Sequence, residues 1–460
     1  MTYLFYDLET SGLCPSFDQI FRFACIITDH NLNEIDRHEI SIKLRPDVVP
    51  SPAALAVTRL SLEDIKEGVC ENEAMHEIHS LFNRPNQINI GYNSLNFDNN
   101  MLRFGFYRNL LDPYSHQYKN KTFRADAMNI NLIYFLYKND IFSWDSDKPL
   151  KLENINNLNH LFDGKSHDAM VDVEVTLNLS KKLRSYDNRM WEYLINGFIK
   201  SNDLSRLNKL PKIQINKKNY TIGVYTDIQL GYKYKCCCAV LLLGRHSIYS
   251  NQMLWMKLDY PDISEYFNSS DKKPRIISRR DGEPGFILPW EDSYNYIIGN
   301  ERVKNVKKNI LWLEKNSHLL DELSSREQDF QYDNIENLDL DASIYTSGLF
   351  NTSEKQLIKS FHSLNLENKV EYLNSLNNRI KALGLRIMFR NYPDYLDIVT
   401  KESVVSSIIN SESVNIQKIK RRTPDDGLKE AHELINSNKI DHEQMTILDD
   451  YIKYLKSINT

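Results

Sequence analysis

What this chain lacks narrows it before any motif is read. No apolar run approaches the roughly 20 residues that a helix needs to cross a bilayer, so a helical membrane protein is not expected. Cysteine is scarce. The six are Cys14, Cys25, Cys70, Cys236, Cys237 and Cys238, with no zinc-ligand spacing among them, which fits a reduced cytosolic protein. Positive charge is not in excess either, since 57 Lys and Arg stand against 62 Asp and Glu, and the net of −5 gives no sign of a nucleic-acid partner. Strand formers and paired acids begin by residue 7, so no signal peptide is expected and the protein should be soluble and cytoplasmic. At 460 residues the chain exceeds what one core usually serves, and two or three domains are expected.

What is present begins with Tyr3-Leu4-Phe5-Tyr6-Asp7-Leu8-Glu9-Thr10-Ser11-Gly12, a run of strand formers that carries two acids at i and i+2. On a strand those carboxylates share a face. Like charges held close in an apolar setting repel strongly unless a cation neutralises them, and ligands that offer only oxygen favour the hard ions Mg²⁺ or Mn²⁺. Two solvated acids at a strand end are the other reading of this segment taken alone.

Two further segments bear on the choice. Ile88 to Asp98 reads as a strand, a loop and an acid that opens a helix carrying Met101, Leu102, Phe104 and Phe106. His167-Asp168-Ala169-Met170-Val171-Asp172 leads into another apolar helix, with His167 in the approach and Asp172 on the helix. The ordered set Asp7, Glu9, Asp98, His167 and Asp172 resembles the DEDDh family of 3′ to 5′ exonucleases. Gly91-Tyr92-Asn93, Asn96-Phe97-Asp98, Phe106-Tyr107-Arg108-Asn109, Asp112-Pro113-Tyr114 and the distant Arg390-Asn391-Tyr392-Pro393 narrow the resemblance to its bacterial exonuclease I branch, along nearly the whole chain.

That resemblance implies an α/β ribonuclease H-like exonuclease domain over 1–187, an SH3-like β-rich domain over 188–338 and an α-helical C-terminal domain over 339–460. From periodicity alone, strands are expected at Tyr3 to Tyr6, Phe21 to Thr28, Glu39 to Leu44 and Ile88 to Tyr92, the first three as an antiparallel meander. Helices are expected at Leu62 to Lys66, Glu73 to Phe82, Ala125 to Lys138 and Glu301 to Asn316, and a capping box of Ser353 with Gln356 is expected to open the last domain.

The resemblance also implies roles. Asp7, Glu9, Asp98 and Asp172 would hold two Mg²⁺ ions, for which Mn²⁺ can substitute, and His167 would be the general base. Glu9, Arg103, Tyr114, Tyr118 and Lys151 would touch the substrate, although Tyr118 stands where a tryptophan is usual and Lys151 where an arginine is usual. A further strand-contacting arginine of the family falls at Leu132, which cannot make that contact. Lys138 and Arg302 would bind the acidic C-terminal tail of single-strand DNA-binding protein. Eight basic residues from Lys200 to Lys235 against Asp203 and Asp227 could line a phosphate-tracking groove or form a solvated surface. The cluster Lys418, Lys420, Arg421 and Arg422 reads as a solvated loop or a DNA contact.

The activity these residues imply is Mg²⁺-dependent degradation of single-stranded DNA from its 3′ end to 5′-mononucleotides, by a monomeric enzyme of DNA repair and recombination. An exoribonuclease acting on RNA 3′ ends and a DNA-binding scaffold without catalysis are the rival readings.

Overall fold

A computed structural model of the chain describes residues 1–164, 167–269, 271–331, 335–376, 379–409, 412–437 and 439–458. Two compact units form, one from Met1–Phe123, Asp163–Glu174 and Asn334–Thr460, the other from Arg124–Phe162 and Val175–Asp333.

The first unit is built on a sheet of β1 (Thr2–Thr10), β2 (Ile20–Thr28), β3 (Glu34–Ser41), β4 (Gln87–Gly91) and β5 (Phe123–Asp126), in the order β3-β2-β1-β4-β5, with the chain leaving the unit at β5. The meander is as expected, with β1, β2 and β3 antiparallel in succession, while β4 runs parallel to β1. Alternation along β1 does the sorting. Leu4, Tyr6 and Leu8 enter a core with Phe23, Ile78, Met101 and Phe106, which leaves Asp7 and Glu9 on the opposite face.

Several local expectations shift. The third strand starts earlier than Glu39, because the Asp29 carboxylate accepts the N–H groups of Asn31 and Asn33 at 2.7 and 2.9 Å and closes the turn just before Glu34. Leu62 to Lys66 is a run of turns rather than a helix, with the side chains of Ser61 and Asp64 bonded to each other's backbone. The regular helix lies earlier, at Pro52–Thr58, where proline's fixed φ suits the first turn. Ala125 to Lys138 divides into the end of β5 and a helix at Ala127–Tyr137, whose Met128 N–H is capped by the Asp126 carboxylate. The capping box is Asn351 with Glu354, two residues before the expected pair, and it opens the helix Thr352–Ser363.

The C-terminal helices pack into this same unit. Ile358, Phe361, Leu383 and Ile387 bury against Phe104, Tyr107 and Leu110, and Ala431, Tyr451 and Leu455 bury against Phe21, Leu55 and Leu60. Between them lies a buried ionic network. Arg390 spans Asp47 at 2.7 Å and Asp341 at 2.5 Å, Arg386 reaches Asp339 at 2.8 Å, and Glu71 takes Arg45 at 2.8 Å and Arg108 at 3.1 Å. Burial would raise the Asp47 carboxyl, but the guanidiniums of Arg390, Arg45 and Arg421 outweigh it and hold it well below the ordinary range. Arg421 is therefore neither solvated nor a free cation, because it bonds Asp341 at 2.6 Å and Asp47 at 3.3 Å. The Arg390-Asn391-Tyr392 motif has the same structural task, since Asn391 accepts the Asn72 N–H at 3.0 Å and Tyr392 reaches Cys70 at 3.6 Å.

The second unit contains the SH3-like β-rich domain. Its strands β6 (Lys212–Ile215), β7 (Lys218–Thr226), β8 (Cys237–Arg245), β9 (Gln252–Lys257), β10 (Ile276–Arg280) and β11 (Phe286–Pro289) pair antiparallel in the order β10-β9-β8-β7-β11, with β6 on β7. Trp255, Val240 and Tyr225 centre its core, and the late helix falls at Asn300–Lys315. The six cysteines are free, and all but Cys14 are buried. Among the described residues no helix is long and apolar enough to cross a membrane.

Candidate active site

The site is assembled by one strand end and the starts of two helices, all in the first unit. β1 delivers Asp7 opposite Ala24 and Glu9 opposite Arg22, and its register then slips between Glu9 and Thr10, which ends regular pairing where the acids lie. Beyond the slip the chain turns sharply. The Asp18 carboxylate accepts Ser11 Oγ at 2.9 Å and the Cys14 N–H at 2.8 Å, and a Cβ on Gly12 would lie 2.4 Å from an Asp18 oxygen, so only glycine fits. Gly91 at the end of β4 is equally confined, since a Cβ there would meet the Ser94 side chain at 2.5 Å and the Tyr6 carbonyl at 3.1 Å.

Asp98 is the first residue of the helix Asp98–Arg108 and is buried, where the helix dipole favours negative charge. Asp172 sits in the first turn of the helix Ala169–Tyr186. Ligand oxygens of Asp7, Glu9 and Asp172 all lie within 4.8 Å of one another. The electrostatics of the group are those of an anion cluster short of cations. Burial first, and then the charges of Asp98, Glu9, Asp172 and Asp168, push the Asp7 carboxyl well above its usual value. Burial, Asp172, Asp98 and Asp168 push Glu9 from 4.5 to about 9, with Arg22 opposing them. An oxygen-only donor set this compact and this frustrated fits hard divalent cations.

His167 lies five residues before Asp172 as expected, exposed to solvent at the approach to the helix, with a left-handed backbone at φ 65°. Asp168 is a residue the sequence reading did not single out. Its carboxylate caps the helix by accepting the N–H groups of Met170 and Val171 at 3.1 and 3.2 Å, pairs with Arg22 at 3.7 Å, and adds to the field on Asp7 and Glu9. The signal was available, because an aspartate just before an apolar helix is a strong N-cap. Arg22 was hidden, since only strand register sets it opposite Glu9.

Of the expected substrate contacts, Glu9, Arg103, Tyr114 and Tyr118 fall in the first unit. Arg103 is buried and stacks its guanidinium 5.0 Å from the Tyr114 ring centroid, whereas Tyr118 is exposed. Lys151 belongs to the second unit, where it precedes the helix Leu152–Asn159 and pairs with Glu153. In that unit Lys138 lies 3.6 Å from Asp187, and Arg302 bonds Asp259, the Tyr234 carbonyl and the Cys237 carbonyl, so its guanidinium is held by its own domain. Leu132 is buried in a core with Leu150 and Cys236. Within the Lys200 to Lys235 stretch, Lys218 pairs with Asp321 and Arg206 with Asp203, while Lys209, Lys212, Lys217, Lys233 and Lys235 are exposed.

The model of an exonuclease family matches residues 4–180. Exodeoxyribonuclease I of Buchnera aphidicola subsp. Acyrthosiphon pisum is 26% identical over 420 residues, which cover 85% of this chain and 97% of that protein. Exodeoxyribonuclease I of Escherichia coli is 32% identical over 200 residues, 42% of each chain. Among solved structures, E. coli exonuclease I in complex with a dA16 oligonucleotide has the same fold, with a TM-score of 0.85 at 20% identity over 99% of both chains.

Proposed function

Since this chain belongs to the bacterial exonuclease I family, we propose that it is a Mg²⁺-dependent exodeoxyribonuclease that degrades single-stranded DNA from the 3′ end and releases 5′-mononucleotides. The observation that carries the reading is the convergence of Asp7, Glu9 and Asp172 within 4.8 Å, with Asp98 close enough to raise two of them. Two divalent ions bound there would lower the pKa of the attacking water and stabilise the leaving oxygen.

Asp7 is assigned to both ions, Glu9 and Asp172 to the first, and Asp98 to the second. His167 takes the proton of the attacking water, a task suited to a side chain whose ordinary pKa is about 6.5. Its exposed place at the mouth of the helix leaves it room to hand that proton to solvent. Arg103, Tyr114, Tyr118, Lys151 and Glu9 are assigned to the strand, because aromatic faces and cations hold unpaired bases and phosphates. The exposed lysines between Lys209 and Lys235 are assigned to phosphates further along the strand.

The remaining assignments extend the same reading. The division into 1–187, 188–338 and 339–460 is kept as the domain plan, and the protein is taken as a cytoplasmic monomer acting in DNA repair and recombination. Lys138 and Arg302 are assigned to the C-terminal tail of single-strand DNA-binding protein. The test uses 5′-labelled DNA and RNA strands of one sequence, with the wild type and Asp7→Asn. A ladder that shortens from the 3′ end on DNA in Mg²⁺, and is lost with Asp7→Asn while strand binding persists, is expected. Preference for RNA, release from the 5′ end, or substantial cleavage by Asp7→Asn would overturn the assignment.

A further inference from the structure

The second strand of the sheet brings a cation to the face that carries the acids. Arg22 lies opposite Glu9 in the antiparallel ladder of β1 and β2, and residues paired in that way project to the same side. Its Nη1 is 3.7 Å from Asp168 Oδ2, and Asp168 stands between His167 and the helix that carries Asp172. That contact is too long for a hydrogen bond. The arginines of the buried ionic network behave differently, since Arg45, Arg108 and Arg390 hold carboxylates at 2.8, 3.1 and 2.5 Å. Arg22 Nε is buried, and among the described residues it has no hydrogen-bond partner. The side chain is therefore placed beside the acids without being locked onto them, and what it brings to Glu9 is an opposing charge.

A fixed positive charge beside an anion cluster has two effects, because it attracts the acids while the site is empty and repels any cation that enters. Both effects favour the metal-free state. We infer that Arg22 is a built-in counter-cation of the metal site, stabilising the acids without metal and thereby lowering the affinity of the site for divalent ions. This rests on the reading that Asp7, Glu9, Asp98 and Asp172 hold such ions. Arg22 is a positioning residue, acting through Glu9 and Asp168, and it sets how tightly ions are held. A direct hydrogen bond from Arg22 to Glu9 would occupy a ligand oxygen, whereas a charge set opposite Glu9 and paired loosely with Asp168 balances the cluster and leaves that oxygen to the ion.

Charge and packing are separable at this position. Mn²⁺, whose free concentration is read by electron paramagnetic resonance, is titrated into the metal-free full chain without DNA for the wild type, Arg22→Gln, Arg22→Lys, Asp168→Asn and the double variant Arg22→Gln with Asp168→Asn. Arg22→Gln is expected to bind Mn²⁺ about fivefold or more tightly than the wild type, the sense set by removing one positive charge near a divalent ion. Arg22→Lys keeps the charge and stays near the wild type. Urea unfolding reads the same balance from the other side, with Arg22→Gln less stable than the wild type in EDTA and the difference shrinking in excess Mn²⁺. An unchanged or weaker Mn²⁺ affinity in Arg22→Gln, an equal shift in Arg22→Lys, or a stability difference that is the same with and without Mn²⁺ would show that Arg22 only packs between strand and helix. Should Arg22→Gln fail to fold, the double variant decides, since it removes one charge of each sign and keeps a capping side chain before the helix. It should bind Mn²⁺ more tightly than Asp168→Asn alone, and equal affinity overturns the inference. A wild type that binds no Mn²⁺ would instead sink the metal-site reading, and this inference with it.

Discussion

Replacing Glu9 with glutamine should stabilise the metal-free protein at neutral pH while destroying its activity. In the folded state Glu9 is raised from 4.5 to about 9, by burial and by Asp172 and Asp98. An acid with a raised folded pKa binds its proton more tightly folded than unfolded, so its contribution to stability is greatest below pH 4.5 and is lost as pH climbs from 4.5 toward 9. At pH 7 the loss is about 2.5 units at 1.36 kcal/mol each, or about 3 kcal/mol. Coulomb's law agrees, since two ionised carboxylates 4.8 Å apart repel by about 3.5 kcal/mol at an effective dielectric of about 20. Glutamine carries no proton to lose. Urea unfolding in EDTA should show Glu9→Gln more stable than the wild type by about 2 to 3 kcal/mol at pH 7, with the gap closing toward pH 4.5. Excess Mg²⁺ should close that gap, because an ion held at about 100 times its Kd adds about 2.7 kcal/mol to the protein that binds it. A variant no more stable than the wild type at pH 7 in EDTA, or a gap equal at pH 4.5 and pH 7, would refute the claim that this cluster is strained without cations.

Three further outcomes follow from other parts of the molecule. Arg390→Ala leaves Asp47 and Asp341 buried without their main partner and should cost about 3 to 5 kcal/mol, read as a lower urea midpoint; a loss below about 1 kcal/mol would deny that this network ties the C-terminal helices to the sheet. Gly91→Ala drives a Cβ to 2.5 Å from Ser94, and displacement of the segment that leads to Asp98 should lower kcat with little change in KM; wild-type kcat would show that the turn yields freely. His167→Ala should lower kcat by about 10² to 10⁴ and flatten the acidic limb of the pH profile; an unchanged limb would reassign the proton acceptor.

The far end of the chain shows where a local reading fails. Arg421 reads as part of a solvated basic cluster because three of its neighbours are also cations, and nothing nearby in sequence announces Asp47, Asp339 or Asp341. Arg390-Asn391-Tyr392 marks the family without disclosing that it clamps Asn72 and Cys70. In both cases the partner is more than 60 residues away, and proximity of that kind is created by packing.

The acids themselves were legible in the sequence. Asp7 and Glu9 share a face because a strand alternates, and Asp98 and Asp172 are legible as acids at the starts of apolar helices, while their grouping into one candidate site rests on the family resemblance. The meander of β1, β2 and β3 was legible for the same reason, as was the reach of the late helix at Asn300–Lys315. What only the tertiary structure decided is which groups share a dielectric environment and which helices share a core. Register places Arg22 against Glu9, packing returns Asp168 to the same field and sets Tyr345 on Arg103, and the pairing of five arginines with four carboxylates joins the C-terminal helices to the sheet of the first unit. Those terms depend on distance through space, and a linear pattern carries no distances beyond the element it describes.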